Sequence, residues 1–116
     1  MKKLLLATAM LFIFTSELSA YTLLGEGNQS CGQYVLDTEK ASAPFDENDV
    51  FSFLPSQTNG AWVQGFISGY NMATSKDVGK GIDTPAIDLW LLNYCKANPL
   101  KYIDEAATAL ITELDK

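Results

Sequence analysis

Two cysteines, Cys31 and Cys95, stand 64 positions apart, behind a leader with the form of an export signal. This pair constrains the fold more than any other feature of the chain. An oxidising compartment favours pairing of two lone cysteines. Closing a loop of that length stabilises a fold by roughly 4 kcal/mol on a chain-entropy estimate. The rival readings are redox chemistry and metal ligation. The first lacks a C-x-x-C spacing, and the second lacks histidine altogether. The pair is therefore read as a structural disulfide.

The leader has three parts. Lys2 and Lys3 are positive, Leu4 to Phe14 is an apolar run, and Ser16 to Ala20 is more polar and ends on a small residue. The apolar run is too short for a stable membrane-spanning helix, and this order is that of a cleaved secretory signal. Leu18 and Ala20 take the −3 and −1 positions, although leucine is not the ideal −3 residue. An uncleaved anchor is the alternative. No lipoprotein box precedes Cys31, and no later stretch is apolar enough to insert in a membrane. The expectation is a signal over 1–20 and one domain over 21–116. The lysine-led signal is bacterial in style, which places the mature chain in the periplasm.

Cleavage leaves 96 residues, near the lower end of what supports an independent core. The 8 basic and 14 acidic residues become 6 and 13, a net charge of −7. The chain has no arginine and no histidine. Nucleic-acid binding needs phosphate neutralisation, which this balance opposes. Anionic lipid is disfavoured for the same reason.

Hydrophobic spacing predicts helices joined by loops. Residues 23–28 read as extended or loose. A first helix runs from Ser30, its cap, to about Lys40. Residues 41–57 read as a long loop with an acidic run, Asp46 to Asp49; Val50 to Leu54 is either a short helix or an extended piece. A second helix spans about Thr58 to Thr74, with Trp62, Val63, Phe66, Ile67 and Tyr70 on an apolar face. Ala61, Gly65, Gly69 and Ala73 form a second stripe of small residues. Each glycine costs a helix about 1 kcal/mol relative to alanine. Close packing against another helix of the chain would offset that cost, and a dimer interface is the sharper alternative. Residues 75–83 form a turn. A third helix starts at Thr84-Pro85 with Thr84 as cap, ends at Ala97, and is apolar nearly all round, so it is expected at the buried centre. Asn98-Pro99 reads as a second stop-and-start. A fourth amphipathic helix from Pro99 to about Leu114 carries Leu100, Ile103, Ala107, Leu110 and Leu114 inward. The fold class is all-α: a small orthogonal bundle of four or so helices with one disulfide. The disulfide would hold down a short first helix that has little else to hold it.

Catalytic constellations are missing. Without histidine there is no Ser-His or Cys-His pair. Ser68 sits one place too late between Gly65 and Gly69 for a nucleophile elbow. Asp46, Glu47 and Asp49 read as a solvated run rather than an acid–base pair, and they lack the glycine and glutamate of a calcium loop. Gly79, Lys80 and Gly81 lack the spacing of a phosphate loop. Asn28-Gln29-Ser30 is a glycosylation sequon, relevant only to a eukaryotic route. No enzyme activity, cofactor or metal is expected. The helices carry Trp62, Phe66, Tyr70, Trp90, Tyr94 and Tyr102, more aromatics than so small a bundle buries, so one or two mark a binding surface.

A cysteine opening the first helix, then Trp62, Gly65, Phe66, Gly69 and Tyr70, then Tyr94-Cys95 followed by Asn98-Pro99, and a closing helix with Ala106-Ala107, resemble the HdeA/HdeB family. The resemblance covers roughly residues 30–114. It implies a small periplasmic helical protein with one disulfide. Some immunity proteins of type VI secretion effectors have a similar layout. Two functions follow from the resemblance. One is an acid-stress chaperone that loosens or dissociates at low pH and holds partly unfolded clients. The other is a dedicated immunity or inhibitor protein that binds one toxin or envelope enzyme. Protonating the carboxylates moves the mature chain from −7 to about +7, which permits the first. The acidic stretch over 41–57 lengthens the cysteine spacing relative to the acid chaperones. Trp62, Phe66 and Tyr70 are the candidate partner-binding residues, and partners are expected to be protein clients or one protein, with a homodimer as one option.

Overall fold

The computed structural model describes residues 21–42 and 54–116. The expected signal, the acidic run and Val50 to Phe53 lie outside the described residues. Four helices make up the domain: α1 (Cys31–Ala41), α2 (Leu54–Thr74), α3 (Thr84–Ala97) and α4 (Ile103–Leu114). A 3₁₀ turn, Gly25–Asn28, precedes them, where extended or loose chain was expected. No strand occurs among the described residues, so the all-α bundle holds.

Local chemistry sets two of the helix starts. Ser30 caps α1, its hydroxyl accepting from the Gln33 N–H at 3.2 Å. The cap of α3 is Asp83 rather than Thr84: its carboxylate accepts from the Ala86 N–H at 2.8 Å. This puts Thr84 and Pro85 inside the first turn, where a missing N–H costs nothing. Helix α2 begins at Leu54, so residues 54–57 are helical rather than loop. Pro55 falls in its first turn for the same reason.

Helix α4 begins four residues later than expected, and the cause is tertiary. In a helix from Pro99, the Ile103 N–H would bond to the Pro99 carbonyl. Instead it donates to the Gln29 carbonyl at 3.0 Å, and the Pro99 carbonyl accepts from Gly32 at 3.0 Å. The Lys101 carbonyl likewise accepts from Cys31 at 2.8 Å. Ser30 and Tyr102 pair as an isolated antiparallel bridge. The start of α1 and the α3–α4 turn are thus laced together by backbone bonds. Leu100, expected inward, lies on that turn and is 92% exposed.

The Cys31–Cys95 disulfide crosses the same junction, with Cα atoms 4.6 Å apart and both residues fully buried. It joins the start of α1 to the end of α3. The short α1 is therefore not held by the disulfide alone: the backbone ladder and the buried Tyr34 ring hold it as well.

The core gathers on α4 rather than α3. Ile103, Ala106, Ala107, Leu110 and Ile111 are all buried, against Leu91 and Cys95 on α3. Val63 and Ile67 of α2 complete the centre. Helix α4 presents these residues on one face and packs on α2, α3 and the 3₁₀ turn, while Thr108, Thr112 and Glu113 on its other face are exposed. Ile87, Trp90, Leu92 and Tyr94 of α3 only flank the core, and Leu89 is 60% exposed.

Candidate functional site

The three expected binding aromatics share one face of α2, four residues apart. Trp62 and Phe66 stack with ring centroids 5.2 Å apart and planes 24° apart. The Lys76 ammonium lies 5.8 Å from the Tyr70 ring centroid. All three rings are half-buried against the core. Trp62 is the most committed: its indole N–H donates to the Leu24 carbonyl at 2.6 Å, and its ring covers Gly25 and Gly27. A methyl on Gly27 would meet that ring at 2.5 Å. The 3₁₀ turn before α1 is therefore built around Trp62, which fastens the N-terminal segment to α2.

The small-residue stripe occupies a different face. Ala61, Gly65, Gly69 and Ala73 are all exposed, and a Cβ on either glycine would have no neighbour within 4 Å. The expected packing against another helix of the chain is not what offsets their helix cost. Met72, beside the stripe, is 85% exposed.

Sequence reasoning overlooked a set of carboxylates that act as clasps at helix ends. Asp37 accepts from the side chains of Gln29 and Gln33, at 2.9 and 2.8 Å. Asp83 caps α3. Glu105 accepts from the Tyr102 N–H at 3.0 Å and from Lys101 at 2.6 Å, closing the first turn of α4. Glu113 accepts from the Trp90 indole at 3.0 Å, joining α4 to α3. Asp115 pairs with Lys76, joining the end of α4 to the end of α2. Only two of these pairs, Gln33 with Asp37 and Lys101 with Glu105, show the four-residue helical spacing in the sequence.

Hydrogen bonding dominates the electrostatics of the charged clasps. The Lys101 ammonium and then the Tyr102 N–H hold the Glu105 carboxyl below its ordinary value. The hydrogen bond to Asp115 raises Lys76, and that to Glu105 raises Lys101. These pairs are exposed, so they respond readily to pH and salt.

Among the described residues, no group of three or more His, Cys, Asp or Glu side chains is placed to hold a metal ion. No helix among them is long and apolar enough to cross a membrane. Comparison with protein-family models, with curated proteins and with solved structures finds no match to this chain.

Proposed function

We propose that this is an exported, periplasmic protein-binding protein of the acid-stress chaperone type, which holds partly unfolded clients at low pH. The observation that carries this reading is the division of labour among its fastenings. The helix ends are clasped by exposed or half-exposed carboxylates on Asp37, Asp83, Glu105, Glu113 and Asp115. The junction of α1 with α3 and α4 is fastened by a disulfide and backbone bonds, which do not titrate between neutral and strongly acid pH.

Acid then acts selectively. Glu105, held below its ordinary value by Lys101 and the Tyr102 N–H, gives up its contribution to stability as the pH falls through its folded value. At the same time the mature chain changes from −7 to about +7, and like charges repel. Helix ends loosen, while the cross-linked junction keeps the chain collapsed, a state with exposed apolar surface. The apolar face of α2, with Phe66 and Tyr70, is then released for clients. The exposed small-residue stripe of the same helix offers a flat surface for a second copy at neutral pH. The resemblance to the HdeA/HdeB family supports the same reading.

The test is light scattering from an acid-labile client at roughly pH 2 to 3 and after neutralisation. Suppression by the oxidised mature protein that disappears at neutral pH is the expected result. Absence of suppression at several-fold molar excess overturns it, and pull-down from an envelope extract at neutral pH then tests for one dedicated partner. Phe66→Ala and Tyr70→Ala, in variants shown to be folded, should weaken client holding.

A further inference from the structure

The 3₁₀ turn over Gly25–Asn28 packs on α2 and α4, yet the segment from Tyr21 to Asn28 brings almost no apolar anchorage of its own. Of its large apolar side chains, Tyr21 is 71% and Leu24 77% exposed, and Leu23 is half-buried. The buried residue of the segment is Gly27, which has no side chain to bury.

The hold comes from Trp62 instead. Its indole lies against Gly25 and Gly27, and its N–H donates to the Leu24 carbonyl at 2.6 Å. Among the described residues, this is the one hydrogen bond that ties residues 21–28 to another element. The others are local: the Asn28 amide donates to the Leu23 carbonyl at 3.3 Å, and the Gln29 N–H donates to the Glu26 carbonyl at 2.9 Å.

The fastening changes abruptly at Gln29. Its carbonyl accepts from Ile103, and Cys31 and Gly32 donate across the same junction, beside the disulfide. The chain from Gln29 onward is therefore tied down by bonds that residues 21–28 lack. Cleavage of the proposed signal after Ala20 makes residues 21–28 a free end with a hinge at Gln29. Lifting that end breaks one hydrogen bond, uncovers one indole and returns backbone entropy to the segment. Segments with so few buried apolar contacts open locally, below the cost of global unfolding. What opening uncovers is Trp62, whose ring stacks on Phe66 at 5.2 Å, so the two rings form one exposed aromatic surface on α2.

We propose that residues 21–28 are a releasable strap that covers the Trp62–Phe66 face of α2 and withholds it from apolar protein segments until the strap lifts at Gln29. The proposal rests on the reading that this face holds unfolded clients, and it names what a client must displace. A face that is covered most of the time binds with an affinity reduced by the fraction that is open. The strap is fastened by an indole on a carbonyl, so its opening needs no carboxylate to titrate.

The first measurement is hydrogen exchange in the oxidised mature protein at neutral pH. Corrected for intrinsic rates, the Trp62 indole N–H should exchange about tenfold faster, or more, than the Ile103 N–H. Equal protection means that the segment opens only with the whole fold, and overturns the proposal. The second measurement uses Gly27→Ala, whose methyl would meet the indole at 2.5 Å and keep the strap from seating. With helix content unchanged by circular dichroism, this variant should bind bis-ANS and a carboxymethylated, permanently unfolded client several-fold more strongly than wild type at neutral pH. Phe66→Ala in the same chain should remove the gain. Deletion of residues 21–27 replaces Gly27→Ala if that variant does not fold, with the same gain expected. Val78→Ala, which loosens the buried turn beyond the other end of α2, should give no gain. A folded Gly27→Ala protein that binds no better than wild type overturns the proposal, and so does an equal gain in V78A. A gain in G27A without acid suppression by wild type removes the acid trigger and leaves the strap. Acid suppression by wild type without that gain removes the strap and leaves the acid reading.

Discussion

Gly60 of α2 and Asp88 of α3 touch in a way that only glycine permits: a methyl on Gly60 would occupy the place of Asp88 Oδ1. That contact sets how closely α2 and α3 approach. Gly60→Ala should therefore destabilise the protein by about 1 to 3 kcal/mol, despite alanine's better helix propensity. Thermal unfolding checks the size. In a double-mutant cycle, Asp88→Ala should recover most of the loss. A fully additive cycle would show that the two residues do not limit each other.

Gly65 and Gly69 lie on the same helix and should behave in the opposite way. With open space where each Cβ would stand, alanine at either position should stabilise α2 by about 0.5 to 1 kcal/mol. Sedimentation of the double variant supplies the second reading. If the stripe joins two copies at neutral pH, the variant should be more stable as a monomer and less able to dimerise.

Asp88 and Glu105 carry opposite pH signatures. Burial raises Asp88 in the fold, so its ionised form costs stability, and that cost is relieved as pH falls through its folded value. D88N should raise the melting temperature at neutral pH, with the advantage fading in acid. Glu105 is lowered by Lys101 and by the Tyr102 N–H, so its stabilisation is present above the ordinary value of 4.5 and is lost as pH falls through the folded value. Glu105→Gln should lower stability at neutral pH and make no difference near pH 2. Asp88 thus opposes acid loosening while Glu105 promotes it. Melting curves of the two variants across that pH range separate the contributions.

Reduction of the Cys31–Cys95 bond should cost roughly 4 kcal/mol of stability. It should not release α1 entirely, because Cys31, Gly32 and Ile103 still donate across the junction. Denaturant unfolding of oxidised and reduced protein gives the energy. Amide exchange at Gly32 and Ile103 in the reduced protein shows whether the ladder persists. Full exchange there would mean that the disulfide alone holds the junction.

Trp62→Phe keeps a ring over Gly27 but loses the bond to the Leu24 carbonyl. The expected cost is about 1 kcal/mol. Faster proteolysis near residues 23–28 is the accompanying sign. Client holding that survives W62F but not Phe66→Ala would separate the fastening ring from the binding one.

Much of the helical layout was legible from local pattern. Ser30 as cap, the apolar spacing of Val63 and Ile67, and Ile103, Ala107 and Leu110 on the inner face of α4 all follow from residue type and helical period. The disulfide was legible because only two cysteines exist to pair. The start of α4 was not. Pro99 and Asn98 carry a strong local signal for a helix start, but the backbone groups of Pro99, Lys101 and Ile103 bond to Gln29, Cys31 and Gly32, some 70 residues away.

How far α3 is buried was misread for a related reason. The apolar surface of α3 marks it for burial all round, but its neighbours cover only the face with Leu91 and Cys95 and leave Leu89 exposed. The contact of Asp88 with Gly60 was invisible to sequence altogether. Asp88 reads there as one more acid in an apolar helix, and Gly60 as one more glycine. Helix type, disulfide partners and charge balance are properties of residues and their near neighbours, so the sequence alone determined them. The clasp at α4, the outward stripe on α2 and the lone carboxylate against Gly60 were decided by the tertiary structure, because each depends on which distant group fills the space beside it.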